Sequence, residues 1–159
     1  MTPQRLDRTL KAFRIGDPDG VYPIFDPTGS RMSPGRWNRM GSPMIYASLS
    51  YSTAMLEKLA NGLGQMPRNQ HFIEITIDAG VSFERFSEPH HPGWDGTVMS
   101  VTRNYGHAWC VEGRSAILLA PSFVARMELN VLINPAHPDA RNIHPDLPRP
   151  IWWDERVFP

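Results

Sequence analysis

The 159 residues carry 16 Lys and Arg against 16 Asp and Glu, with 41% hydrophobic and 20% charged residues. This length and balance fit one soluble domain with a full core, spanning 1–159. A net charge of zero excludes broad electrostatic capture of nucleic acid or an anionic membrane, but not a local basic pocket.

The N-terminal "MTPQRLDRTLKAF" has basic residues but no apolar stretch of the signal-peptide kind, and no apolar run of about 20 residues follows. A cytoplasmic protein is expected. "KAFRIGD" predicts a short strand closed by Gly16-Asp17-Pro18, and residues 17–43 read as loop, punctuated by "DPDG", "DPTGS", "SPGR" and "MGSP". "MIYAS" at 44–48 predicts a buried strand, after which Ser50 caps a helix through "YSTAMLEKLANG" to Gly62. On a helical wheel Met55, Leu56, Leu59 and Leu63 mark the expected buried face, with Glu57 off it near Ala54 and Asn61.

"HFIEITI" at 71–77 and "VSFERF" at 81–86 predict strands, and "EPHHPGWDG" a loop. "TVMSVTRNYGHAWC" at 97–110 predicts a helix weakened by its internal Gly106. It contains the one cysteine, Cys110, so no disulfide can form within the chain. "SAILLAPS" and "ELNVLINPA" are strands stopped by proline, and "IWWDERVF" predicts a last aromatic strand. The sum is an α+β domain with two helices and an antiparallel or mixed sheet.

Fourteen of the sixteen cations are Arg, leaving only Lys11 and Lys58. Arg suits bidentate recognition of phosphate. Arg36 and Arg39 follow a Pro-Gly turn that can present them to an anion, or leave them as surface arginines. Arg14 faces away from Phe13 and Ile15 on its strand, so it needs a carboxylate or a ligand phosphate. Tyr46 and Ile45 point to opposite sides of theirs, one to the core and one to a ligand or second layer. Glu57 reads as a solvated helix residue or as a cleft carboxylate. Ser122 reads as a turn serine, since it lacks the Gly-x-Ser-x-Gly setting of a hydrolase nucleophile. His90, His91, His137 and His144 lie in loops without tight zinc spacing, so no metal is expected. No Walker loop and no strand-linked Gly-x-Gly-x-x-Gly is present, so a nucleotide would be held by arginines and turns.

Taken together, "FRIG", "GRWN" at 35–38, "IYAS" at 45–48, "LEKL" at 56–59, "APS" at 120–122, "NVLINPAHPD" at 130–139 and "DERVF" resemble the RES-domain toxins. The resemblance covers about 12–158 and implies a fold similar to ADP-ribosyltransferases, with small packed sheets around a cleft and NAD as substrate. It implies a toxin neutralised by an Xre-type helix-turn-helix antitoxin that covers the active site. Carried onto this chain, it gives Glu57 to the ribose cation left as nicotinamide departs, and Arg14 and Arg36 to the diphosphate. Tyr46 would offer its face to the nicotinamide or ribose, and Ser122 would fix the nicotinamide amide or position Glu57. Asn130 and His137 are expected to be structural, in a turn beside the cleft. ADP-ribose would pass to a host protein, or else to water or phosphate.

Overall fold

A computed structural model describes residues 2–159. Nine strands and three α-helices form it: β1 (Gln4–Arg5), β2 (Leu10–Gly16), α1 (Thr28–Met32), β3 (Ile45–Ser48), α2 (Tyr51–Asn61), β4 (His71–Ile77), β5 (Ser82–Arg85), α3 (Ser100–Val111), β6 (Ile117–Pro121), β7 (Leu129–Ile133), β8 (Ile143–Pro145) and β9 (Arg149–Pro150). The sheet runs β1-β5-β6-β7-β3-β2-β4-β8, with β9 also on β4. All pairs are antiparallel except β5 and β6, which the crossover through α3 makes parallel.

The apolar runs of β6 and β7 are central and covered on both faces, which is why they read as continuous rather than alternating. Ile117, Leu119, Val131 and Ile133 join Ile73, Ile75 and Ile77 in one core. Leu118, Ala120 and Leu132 face the other way, onto Trp37, Met44, Phe86 and Trp109.

One junction in the sheet is thin. β2 and β4 pair over seven residues, and β3 and β7 over four, but β2 meets β3 only at Phe13–Ser48. Two lobes therefore splay apart between β2 and β3. Arg14 fills part of the opening: its Nη1 donates to the Tyr46 carbonyl at 2.8 Å, and its Nε to the Ile24 carbonyl at 2.6 Å. A guanidinium thus satisfies a strand carbonyl that no backbone amide reaches.

Four sequence expectations are corrected here. The closing "IWWDERVF" is not a strand. After β9 the chain turns through a 3-10 segment, Glu155–Val157, where Asp154 accepts from the Arg156 amide at 2.8 Å and pairs with its guanidinium. This local pairing, after prolines 148 and 150 have removed donors, takes the place of a ladder. The 17–43 loop contains α1, a single turn begun where Asp26 accepts from the Thr28 amide at 2.8 Å. The short β1, β8 and β9, of two or three residues, are too brief for a periodicity signal. On α2 the buried residues are Thr53 and Ala54, while Leu56 is 43% exposed. Leu63 lies past the Gly62 cap in the left-handed region, at φ 55°, and is 90% exposed. The helix leans over an open cleft rather than the core, so its small and polar side faces inward. Among the described residues no helix is long and apolar enough to cross a membrane.

Candidate active site

The splay between β2 and β3 opens into a cleft of about 560 Å³. Phe13, Arg14 and Ile15 come from one strand, Tyr46, Ala47 and Ser48 from the other, and α2 adds Ala54, Glu57, Lys58 and Asn61. The 34–37 turn, Arg103 of α3 and Phe123 close the remaining side. Arg14, Arg36, Tyr46 and Glu57, far apart in sequence, thus share one wall system.

Glu57 reaches it because β3 runs through Leu49 directly into the cap of α2, where Ser50 Oγ accepts from the Thr53 amide at 3.0 Å. Its Oε1 accepts twice: from Ser122 Oγ at 2.7 Å and from Asn130 Nδ2 at 2.9 Å. Asn130 is itself fixed, since its Oδ1 accepts from Ser48 Oγ at 2.7 Å. Among the described residues Oε2 takes no hydrogen bond. One carboxylate oxygen is clamped and the other is not.

Ser122 is fully buried, and its hydroxyl also accepts from the Ala125 amide at 3.0 Å. It stands behind Glu57 rather than on the cleft surface, an arrangement suited to positioning the carboxylate. Asn130, expected in a turn, sits on β7 and lines the cleft. His137 is a cap, its Nδ1 accepting from the Asp139 amide at 3.0 Å.

Tyr46 forms part of the wall with its hydroxyl tied back. It donates to Asn38 Oδ1 at 2.6 Å and accepts from the Trp37 amide at 3.1 Å. Burial pushes its pKa well up, so the phenol stays neutral. Asn38 also accepts from the Gly35 amide and donates to the Ser30 and Arg39 carbonyls, which fixes the whole "GRWN" turn. Trp37 is 2% exposed and lies edge-on to Phe86.

Arg36 donates to the Trp94 and Gly96 carbonyls at 3.3 and 3.2 Å, and its guanidinium sits 4.0 Å from the Phe123 ring centre. Burial and neighbouring Arg126 pull its pKa down, and Glu57 pulls it back up. Arg14 is also lowered, chiefly by burial. Arg39 is exposed on α3's Asn104 and outside the cleft lining. Cys110 bonds weakly to the Pro43 carbonyl, and burial raises its thiol pKa, away from the reactive thiolate.

Sequence reasoning missed Lys58 and Arg103. Arg103 Nε and Nη2 donate to the Gly35 and Pro34 carbonyls at 2.8 and 3.2 Å, bracing the turn that carries Arg36. Its signal was faint: a cation one turn before Gly106 on a helix of uncertain strength. Lys58 follows Glu57 directly, and nothing in its spacing sets it apart.

The family model described as "RES domain" matches residues 11–154. The chain is similar to the Prs ADP-ribosylating toxin of a Sphingobium species, 36% identical over 157 residues that cover 94% of this chain and 98% of the relative. It is also similar to a Toxin Res of Pseudomonas putida, 29% identical over 125 residues, or 77% and 85% of the two chains. Among solved structures, the M. tuberculosis MbcT–MbcA toxin–antitoxin complex contains a chain with the same fold, at a TM-score of 0.73. That match covers 91% of this chain and 85% of that one at 15% identity. The motifs from Arg14 to Asn130 fall within the matched span, and this chain belongs to the RES domain family.

Proposed function

We propose that this protein is the toxin of a toxin–antitoxin pair, and that it cleaves the nicotinamide–ribose bond of NAD and transfers ADP-ribose to a host protein. The single observation that carries the reading is the clamped Glu57, with Oε1 held by Ser122 and Asn130 and Oε2 open to a cleft lined by Arg14, Arg36 and Tyr46.

The chemistry follows from that geometry. As the glycosidic C–N bond breaks, its electron pair goes to the pyridinium nitrogen and neutral nicotinamide leaves. Positive charge grows on the ribose C1′ and ring oxygen, as in glycoside cleavage. Glu57 Oε2 faces that charge and stabilises it, without reorganising, because Oε1 is already fixed. An acceptor nucleophile then bonds to C1′ and gives its proton to Glu57. Arg14 and Arg36 hold the diphosphate by charge-assisted bonds, and the Tyr46 ring offers an apolar face to the nicotinamide or its ribose. Ser122 and Asn130 act through Glu57 as positioning residues. NAD is the substrate, and no step calls on a metal.

Transfer to protein is favoured over release to water or phosphate because the Sphingobium relative is named as an ADP-ribosylating toxin. The solved neighbour is a toxin–antitoxin complex, which supports a cognate antitoxin. We place that antitoxin in the Xre type, covering the cleft in the cytoplasm. The test is incubation of purified protein with labelled NAD and a bacterial lysate. Label on a protein band, absent with Glu57→Gln, is the expected result. Free ADP-ribose or its phosphate ester, with no labelled protein, would overturn transfer in favour of NAD depletion.

A further inference from the structure

A second cavity, of about 320 Å³, adjoins the cleft. The two share Arg14, Ile15, Gly29 and Lys58 in their linings. Beyond that junction the second cavity is walled by the 16–24 loop, including Asp17, Gly20, Val21, Tyr22 and Pro23. Tyr22 rests on α1 at Gly29, where an added Cβ would come within 3.2 Å of its hydroxyl. Tyr22 is 37% exposed and lines the cavity, in a loop otherwise short of large side chains.

We infer that this second cavity is the adenosine subsite, with Tyr22 as the platform for the adenine ring and the Arg14–Lys58 pair as the seat of the diphosphate. The inference rests on NAD being the substrate. Its support is the order of chemistry along the two cavities. Glu57 and Arg36 line only the larger one. Arg14 and Lys58 stand at the passage between them, and an aromatic-walled space follows. NAD has the same order: nicotinamide ribose, diphosphate, adenosine.

The charges at the passage agree. Among the described residues neither Arg14 nor Lys58 forms an ion pair within 4 Å, although eight such pairs occur elsewhere. Asp26 and Asp17 act on Arg14 and Lys58 only from beyond ion-pair distance, and two half-buried cations side by side repel each other until an anion arrives. A diphosphate supplies that anion and bridges the lobes that Arg14 joins. The aromatic ring beyond it suits any purine, because stacking uses the π-face. Lys58 becomes a binding residue, and Arg14 rather than Arg36 takes the larger share of the diphosphate.

ADP is the probe, because it carries the adenosine and diphosphate but no nicotinamide. Titration calorimetry of the full chain is expected to show ADP binding, weakened about tenfold by Tyr22→Ala, the effect of losing one base–aromatic stack. Val21→Glu places a carboxylate on a fully exposed residue at the lip of the cavity, without threat to folding, and is expected to weaken ADP as well. Circular dichroism of each variant checks the fold. No ADP binding by the wild type, or equal binding by wild type and both folded variants, overturns the subsite. NAD consumption by the wild type is measured alongside. If NAD is consumed while ADP binding ignores Tyr22 and Val21, the subsite fails and the enzymatic reading stands. If ADP binds through them but NAD survives intact, the pocket is a nucleotide site and the proposed reaction fails.

Discussion

Glu57 shows how two donors, 65 and 73 residues away along the chain, can define one oxygen's job. Glu57→Gln keeps the size of the side chain but removes the charge that meets the ribose cation. It should lower NAD turnover at least about 100-fold, since well-placed electrostatic groups in comparable sites contribute that much, with the circular dichroism spectrum unchanged. Ser122→Ala and Asn130→Ala each leave one donor on Oε1, so turnover should fall less, by about threefold, and the double variant should approach the loss in Glu57→Gln, well beyond the roughly tenfold that two independent effects would give. A double-mutant cycle on initial rates checks this, and strict independence of the two effects would count against a shared clamp. At this scale the sequence was legible in residue type and spacing but not in direction. The motifs pointed to Glu57, Ser122, Tyr46 and the two arginines. They could not reveal that Ser122 stands behind the carboxylate, or that Asn130 belongs to the clamp, because both facts depend on β6, β7 and α2 meeting in space.

Among the elements, the glycines carry most of the information that pattern reading misjudged. Gly106 made α3 look weak. In the folded chain an added Cβ there would lie 1.8 Å from the Trp37 carbonyl oxygen, so α3 can press against the "GRWN" turn only because that position has no side chain. The close approach lets Thr102 Oγ1 donate to the Arg36 carbonyl at 2.6 Å and Arg103 brace the turn from the same face. Gly106→Ala, which would raise the propensity of an isolated helix, should instead destabilise by about 1–3 kcal/mol through overpacking. For a domain of this size each kcal/mol lowers the thermal midpoint by about 2–4 °C, and a midpoint at or above wild type would reject the argument. Gly35 has the same role on the other side of the turn, where a Cβ would meet the Tyr46 hydroxyl at 2.8 Å. The strong strands and α2 were legible from alternation, capping and proline stops. The inward face of α2 was not, because a helix bordering a cleft offers its polar side to the interior, and a hydrophobic wheel assumes an apolar one.

For the molecule as a whole, the decisive feature is that its two lobes touch along the sheet at one residue pair, Phe13–Ser48, with Arg14 spanning the gap above it. A ligand in this cleft contacts β2 and β3 together and adds a bridge that the backbone does not make. Binding to the folded chain alone raises stability by about 2.7 kcal/mol at a ligand concentration 100 times Kd. NAD at that level on the inactive Glu57→Gln protein should therefore raise the thermal midpoint by about 5–10 °C. The bridging geometry adds a second, sharper expectation. Amides of β2 and β3 should gain hydrogen-exchange protection with ligand, while those of β6 and β7, already central and buried on both faces, should change little. A midpoint that does not move would remove NAD from the cleft. A midpoint that moves, with new protection confined to β6 and β7, would put the nucleotide somewhere other than between the lobes.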